Sequence, residues 1–137
     1  MIKPSHEAVM VDEVLDNLIF EQNGKYVDCT FGAGGHSFEI LKKINESGSL
    51  FSLEKDEKAT LDLSSHFADD SRFKLINDSF SNLRNFFKDE EIDGILIDLG
   101  ISSTQLDDPE RGFSFQSDGP LDMRIDTSKG LTAADWV

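Results

Sequence analysis

The sequence is short of the features that hold exported or membrane proteins together. Among its 137 residues is one cysteine, Cys29. No internal disulfide can form, which fits a reducing, cytoplasmic compartment. No apolar run approaches the roughly 20 residues of a membrane-spanning helix. Residues Met1 to His6 show no basic segment followed by an apolar run, so no secretory signal is visible. Neither an internal repeat nor a low-complexity tract is found. Basic residues are scarce: 13 Lys plus Arg stand against 27 Asp plus Glu, a net charge of −14. The imbalance is even, with 6 basic and 14 acidic side chains in residues 1–70 and 7 and 13 in residues 71–137. Neither half is a basic platform. Tight non-specific nucleic-acid binding by this chain alone is therefore disfavoured, because it needs clustered Lys and Arg.

What is present is a core. Apolar residues make up 38 % and aromatics 9 %, and 11 of the aromatics are Phe against one Tyr and one Trp. That much Phe in a charged chain indicates packing, not an acidic tail. The length suits one domain.

Apolar spacing at Val11, Val14, Leu15, Leu18 and Ile19 predicts an amphipathic helix from about His6 to Glu21, ended by Asn23-Gly24. Tyr26 to Thr30 reads as a strand. Gly32, Gly34 and Gly35 follow, then a helix with Phe38, Ile40, Leu41 and Ile44 inward, Ser37 as its cap and Gly48 as its breaker. Ser49 to Glu54 is a second strand. Asp56 caps a predicted helix through Phe67, with Ala59, Leu61 and Leu63. Phe73 to Asn77 alternates as a strand, and Ser81 or Asn82 starts a short helix with Leu83, Phe86 and Phe87. Gly94 to Leu99 is a nearly continuous apolar run, the mark of a strand buried on both faces. The expected fold class is thus α/β: a parallel sheet with helices on both sides.

Residues 100–131 show no clear period, and Pro109 and Pro120 act as breakers. A long stretch of this kind is often functional. Thr132-Ala133-Ala134-Asp135 has the form of a capping box, with only Trp136 and Val137 after it. The strand ending at Leu99 has no later strand to pair with, and natural domains usually cover such an edge. The expectation is a single, truncated domain over residues 1–137, the front of a larger one. The alternative is a complete four-stranded domain with a frayed C-terminus.

Ligands of parallel α/β sheets bind at the carboxyl ends of the strands, and four groups fall there. The first is Asp28 to His36, in which Gly32, Gly34 and Gly35 are either a tight turn or a loop that lets a ligand approach the backbone. The dinucleotide pattern G-x-G-x-x-G is not met, since Ser37 takes the third place. The second is Glu54, 22 positions after Gly32, suited to a ribose diol. The third is Asn77 to Phe80, where Phe80 either flanks an adenine ring or belongs to the core. The fourth is Asp98 to Ser103 with Gln105. A carboxylate ending an apolar strand needs a partner, such as an ammonium or amine. A carboxylate, an ammonium, a ribose diol and an adenine are the parts of S-adenosylmethionine, which these features fit better than NAD. No residue is assigned to a metal.

The segments His6-x-x-Val9-Met10, Tyr26 to His36 (YVDCTFGAGGH), Asp93 to Ser103 (DGILIDLGISS) and Arg111 to Arg124 (RGFSFxxDGPLDMR) resemble the ribosomal RNA small subunit methyltransferase H family, also called MraW. The likeness runs from His6 to Val137. It implies a bacterial cytoplasmic enzyme with a Rossmann-like, class I S-adenosylmethionine-dependent methyltransferase fold. It also implies methyl transfer to N4 of a cytidine in small-subunit ribosomal RNA. The family's cofactor contacts map onto Gly34, Gly35, His36, Glu54, Phe80, Asp98 and Gln105. Position 54 is Glu where the family commonly has Asp. Family members are about twice as long, and a later segment resembling Phe-His-Ser-Leu-Glu-Asp is absent here.

Cytosine's amine is a poor nucleophile, so the expected mechanism is positioning against the methyl donor, with the base flipped from its stack. Asp98 is the candidate beside the reacting nitrogen, or else it binds the cofactor. Arg111 and Arg124 either contact RNA phosphate or pair with Asp107, Asp108, Glu110, Asp118 and Asp122. A catalytically inactive fragment that binds cofactor and associates, as a homo-oligomer, through the bare strand edge is the rival reading.

Overall fold

A computed structural model describes residues 8–56, 67, 69–101 and 103–137. The chain divides into two compact units, Met1–Asp98 and Leu99–Val137. The first holds a sheet of four parallel strands: β1 (Lys25–Asp28), β2 (Ser49–Leu53), β3 (Phe73–Ile76) and β4 (Gly94–Leu96). Their spatial order is β3-β2-β1-β4. The chain winds outward from β1 through β2 to β3, then returns to the other side of β1 for β4. The gap between β1 and β4 is therefore a topological switch point, the place where such sheets take their ligands.

Strand alternation divides the core between two faces. Tyr26 and Leu50 point to one face and pack with Phe31, Ile40, Leu41, Ile44 and Phe67. Val27, Cys29 and Leu53 point to the other, against Phe51, Ile76, Leu83, Phe87 and Ile92. The first face is covered by α1 (Val11–Leu18) and α2 (Gly35–Lys43). On the second, Leu83 begins α3 (Leu83–Phe86), which a 3-10 turn, Phe80–Asn82, precedes. Under the glycine loop the rings of Phe31, Phe67 and Phe73 meet with centroids 4.7–5.8 Å apart.

Several boundaries differ from the sequence expectation. Helix α1 starts at Val11 because Met10 adopts a left-handed conformation, φ 51°, and it ends at Leu18, short of Asn23-Gly24. The expected start at His6 and the helix over 56–67, its two end residues apart, lie outside the described residues. Ser37 does not cap α2. Gly34, at φ 78°, takes that place, and Ser37 lies inside the first turn with its hydroxyl committed to the sheet. The run Gly94–Leu99 is not buried on both faces: β4 stops at Leu96, and Ile95 and Ile97 are 45 % and 50 % exposed. The reason is position. Among the described residues β4 pairs with β1 alone and forms the edge of the sheet.

The second unit contains α4 (Ser103–Asp107), a 3-10 turn at Pro109–Arg111 and α5 (Ala133–Trp136). Its aperiodic stretch is ordered by close backbone contact. A Cβ at Gly119 would stand 2.0 Å from the Pro109 carbonyl oxygen, and one at Gly112 2.2 Å from that of Pro120. Arg124 grips Asp122 through two hydrogen bonds of 2.8 and 2.7 Å, and Arg111 donates to the Ile125 carbonyl at 2.7 Å. The Arg124 guanidinium holds the Asp122 carboxyl down at about 2. The capping box at Thr132 and Asp135 forms as expected.

Gly34 joins both demands on a glycine. Its φ is positive, and an added Cβ would lie 2.9 Å from Phe67 Cε2 and 3.1 Å from Phe31 Cζ. Gly34→Ala is expected to cost about 2–4 kcal/mol, combining left-handed strain with overpacking. The check is the midpoint of urea unfolding, and an unchanged midpoint would contradict this packing.

Candidate functional site at the strand tips

The four strand ends are cross-linked by hydrogen bonds. The Phe31 amide donates to the Leu53 carbonyl at 3.0 Å, and the Glu54 amide donates to Ile76 at 3.0 Å. The Asn77 side chain donates to the Glu54 carbonyl at 3.0 Å. On the other side, the Cys29 amide donates to Leu96 at 2.9 Å, and the Asp98 amide donates to Thr30 Oγ1 at 2.8 Å. The loop after β1 is thus fastened to both neighbours.

Asp28 lies at the centre and is fully buried. Its Oδ2 accepts from Ser37 Oγ at 2.7 Å, and its Oδ1 accepts from the Thr30 amide at 3.0 Å. Ser37 Oγ also meets Ser52 Oγ at 2.8 Å. Burial pushes the Asp28 carboxyl up, and the hydrogen bonds from Ser37 and Thr30 pull it partly back. Sequence reasoning noted Asp28 as an acid in the first strand but gave it no structural role. The strand register supplies that role: β1 and β2 carry Asp28 and Ser52 at paired positions on the face that α2 covers.

Glu54 immediately follows β2. Its Oε2 accepts the Gly32 amide at 2.9 Å, and its Oε1 accepts the Asp56 amide at 2.8 Å. The carboxylate therefore links the β2 tip to the glycine loop directly. Gly32 has φ 54°, and a Cβ there would meet nothing nearer than the Thr30 carbonyl at 3.8 Å, so the outer side of the loop is open. Phe80 opens the turn after β3 and is 42 % exposed, which places it outside the core.

Asp98 corrects an expectation. It is not a buried acid in search of a partner: its side chain is 47 % exposed, and its carboxylate stands 3.8 Å from His36 Nδ1. The strand ends before it reaches Asp98, so water reaches the group. His36 itself is buried, and its Nε2 meets the Val9 carbonyl at 2.8 Å. Gly35 and His36 form the first turn of α2, whose cap residue supplies no side-chain acceptor. Gln105 belongs to α4 of the second unit, whereas the strand tips belong to the first. Arg111 and Arg124 are also in the second unit, engaged as described above. Among the described residues no group of His, Cys, Asp and Glu is placed to hold a metal ion, and no helix is long and apolar enough to cross a membrane.

A family model described as the MraW methylase family matches residues 3–137. A ribosomal RNA small subunit methyltransferase H from Shewanella sediminis is 47 % identical over 97 % of this chain. One from Buchnera aphidicola subsp. Acyrthosiphon pisum is 49 % identical over 96 %. The chain spans 43 % of the length of each of these relatives. Among solved structures, a candidate rRNA methylase from Clostridium thermocellum superposes with a TM-score of 0.58 at 22 % identity, covering 65 % of this chain and 48 % of that one. An rRNA methylase from Streptococcus thermophilus gives 0.54 at 21 %, covering 73 % and 57 %. At that identity the likeness establishes the fold, which is Rossmann-like.

Cys29 sits beside the site but faces the opposite side of the sheet, buried with Val27 and Leu53. Burial, with a smaller push from the Asp28 charge, raises its thiol to about 11. Alkylation by iodoacetamide at pH 8 is expected to run roughly two orders of magnitude slower in the folded chain than in urea, since only the thiolate reacts. Mass spectrometry of timed samples reads this directly, and equal rates would contradict the burial.

Proposed function

The chain belongs to the MraW methylase family, and we propose that it binds S-adenosylmethionine at the tips of β1 to β4 as part of a methyltransferase acting on small-subunit ribosomal RNA, at N4 of a cytidine. The observation that carries this reading is the Glu54–Gly32 hydrogen bond. It sets an acid at the end of β2 against an open glycine loop beside a switch point. The residues fit the cofactor's parts. Glu54 accepts from the ribose hydroxyls. Gly32, Gly34, Gly35 and His36 present backbone to the amino-acid end, where the α2 N-terminus favours a carboxylate. Phe80 offers an exposed ring to the adenine. Gln105 is assigned from the family resemblance.

When bound, S-adenosylmethionine supplies an electrophilic methyl group on a sulfonium sulfur. The chain's own part is binding and placement. Asp98 is exposed enough to meet a second ligand, and its backbone is fixed by Thr30. Its carboxylate accepts hydrogen bonds from an amine, which orients the nitrogen and gives the departing proton an acceptor. The protein works in the cytoplasm on this reading.

A second reading has one favouring observation, the apolar edge of β4. There the chain is a domain fragment over 1–137 that binds cofactor without transferring methyl groups and associates through Ile95 and Ile97, the latter 50 % exposed. Methyl transfer to undermethylated small subunits by this chain would exclude it.

Isothermal calorimetry tests the shared premise. S-adenosylmethionine is expected to bind saturably and NAD not at all. Glu54→Gln should weaken binding by roughly tenfold to a hundredfold, the worth of hydrogen bonds to a charged acceptor. Saturable binding of NAD alone would overturn the reading.

A further inference from the structure

His36 does more than close the glycine loop. Its ring is buried, with the Val9 carbonyl at one nitrogen and the Asp98 carboxylate 3.8 Å from the other. A carbonyl oxygen only accepts, so the 2.8 Å contact with Val9 requires the hydrogen on Nε2. That leaves Nδ1 turned to the Asp98 carboxylate across 3.8 Å. Val9 is the residue before Met10, and Met10 is the left-handed cap from which α1 departs. The Met10 carbonyl accepts the first helical hydrogen bond, from the Val14 amide at 2.9 Å.

Helix α1 has little else to hold it. It is eight residues long with no fully buried side chain, and it leans on the core through half-buried Leu15 and Leu18. A helix this short is not stable alone. Among the described residues, the one hydrogen bond joining residues 8–19 to the remainder of the unit is that between His36 and Val9. Met10 also sits in a conformation that costs a non-glycine residue energy, so something outside the helix must hold its entry.

We propose that His36 is a positioning residue that clasps the entry of α1 to the candidate site, so that docking of α1 and occupancy of the site stabilise each other. The inference rests on the cofactor reading above and extends it to a segment joined to the assigned residues by the His36–Val9 hydrogen bond. A ligand that orders Gly35 or His36 fixes the imidazole, the fixed imidazole holds Val9, and α1 frays less. The coupling is reciprocal by thermodynamic linkage.

Amide hydrogen exchange of the 137-residue chain tests this, read at Val14, Leu15 and Leu18 with and without saturating S-adenosylmethionine, beside calorimetry. Wild type is expected to gain at least fivefold protection at these amides on binding. His36→Asn, too short to reach Val9, should lose that gain and expose α1 in the free chain. His36→Gln, whose amide nitrogen lies near the Nε2 position and can donate to the Val9 carbonyl, should restore most of it. A merely structural histidine would change the free-state exchange without changing the ligand-induced gain. If His36→Asn fails to fold, wild type and His36→Gln still decide the matter. Saturable binding with no gain at α1 in wild type overturns the clasp and leaves the cofactor reading intact. Failure of S-adenosylmethionine to bind removes the cofactor reading, and the coupling falls with it.

Discussion

The buried carboxylate of Asp28 is the constraint on which the arrangement depends. A carboxyl group cut off from water must find hydrogen-bond partners inside the fold. Here Ser37 Oγ and the Thr30 amide supply them. Each donor fixes something else. Holding Ser37 sets the first turn of α2 against the sheet and forces the cap back to Gly34. Holding Thr30 turns its hydroxyl oxygen toward the Asp98 amide, which sets the end of β4. One acid in the middle of the sheet therefore places a helix start on one side and a strand end on the other, and the candidate site lies between them.

Glu54 plays the complementary part from β2. Its carboxylate ties the Gly32 and Asp56 amides while staying half-buried at the surface. The two acids differ in what surrounds them. Asp28 has its polar partners inside the fold and no outlet to solvent, so it serves the architecture. Glu54 and Asp98 have water on one side and retain lone pairs for a ligand. The division between an acid closed off inside the fold and two acids open to solvent follows from burial alone.

The same distinction shows what was legible in the sequence. Strands and glycine loop could be read because alternation and turn residues are local signals, and the four strand tips follow from the parallel order. Ser37 was misread because a serine after glycines looks like a cap. Its true partner is nine residues upstream, and no local rule pairs them. The β4 run was misread because apolar residues do not say which neighbour covers them: the pattern Gly94–Leu99 suits a central strand, and among the described residues it stands at an edge. The exposure of Asp98 follows from that position. The second unit stayed opaque for another reason. Its order comes from glycines pressed against distant carbonyls and from arginines bonded to a carboxylate and a carbonyl, and such contacts have no period.

Charge bears on how an RNA substrate would be engaged. Counterion release on phosphate binding needs several free cations together, and in this chain 13 Lys plus Arg stand against 27 Asp plus Glu. Arg124 is spent on Asp122, and Arg111 is directed to the Ile125 carbonyl. The Arg111-to-Arg124 segment is thus held together by its own arginines, which shape the loop. On the proposed function, phosphate contacts would fall to residues other than these two arginines, and the candidate site's share of recognition to the extruded base. Such a division suits base flipping, in which one surface holds the strand and a separate pocket reads the nucleobase edge.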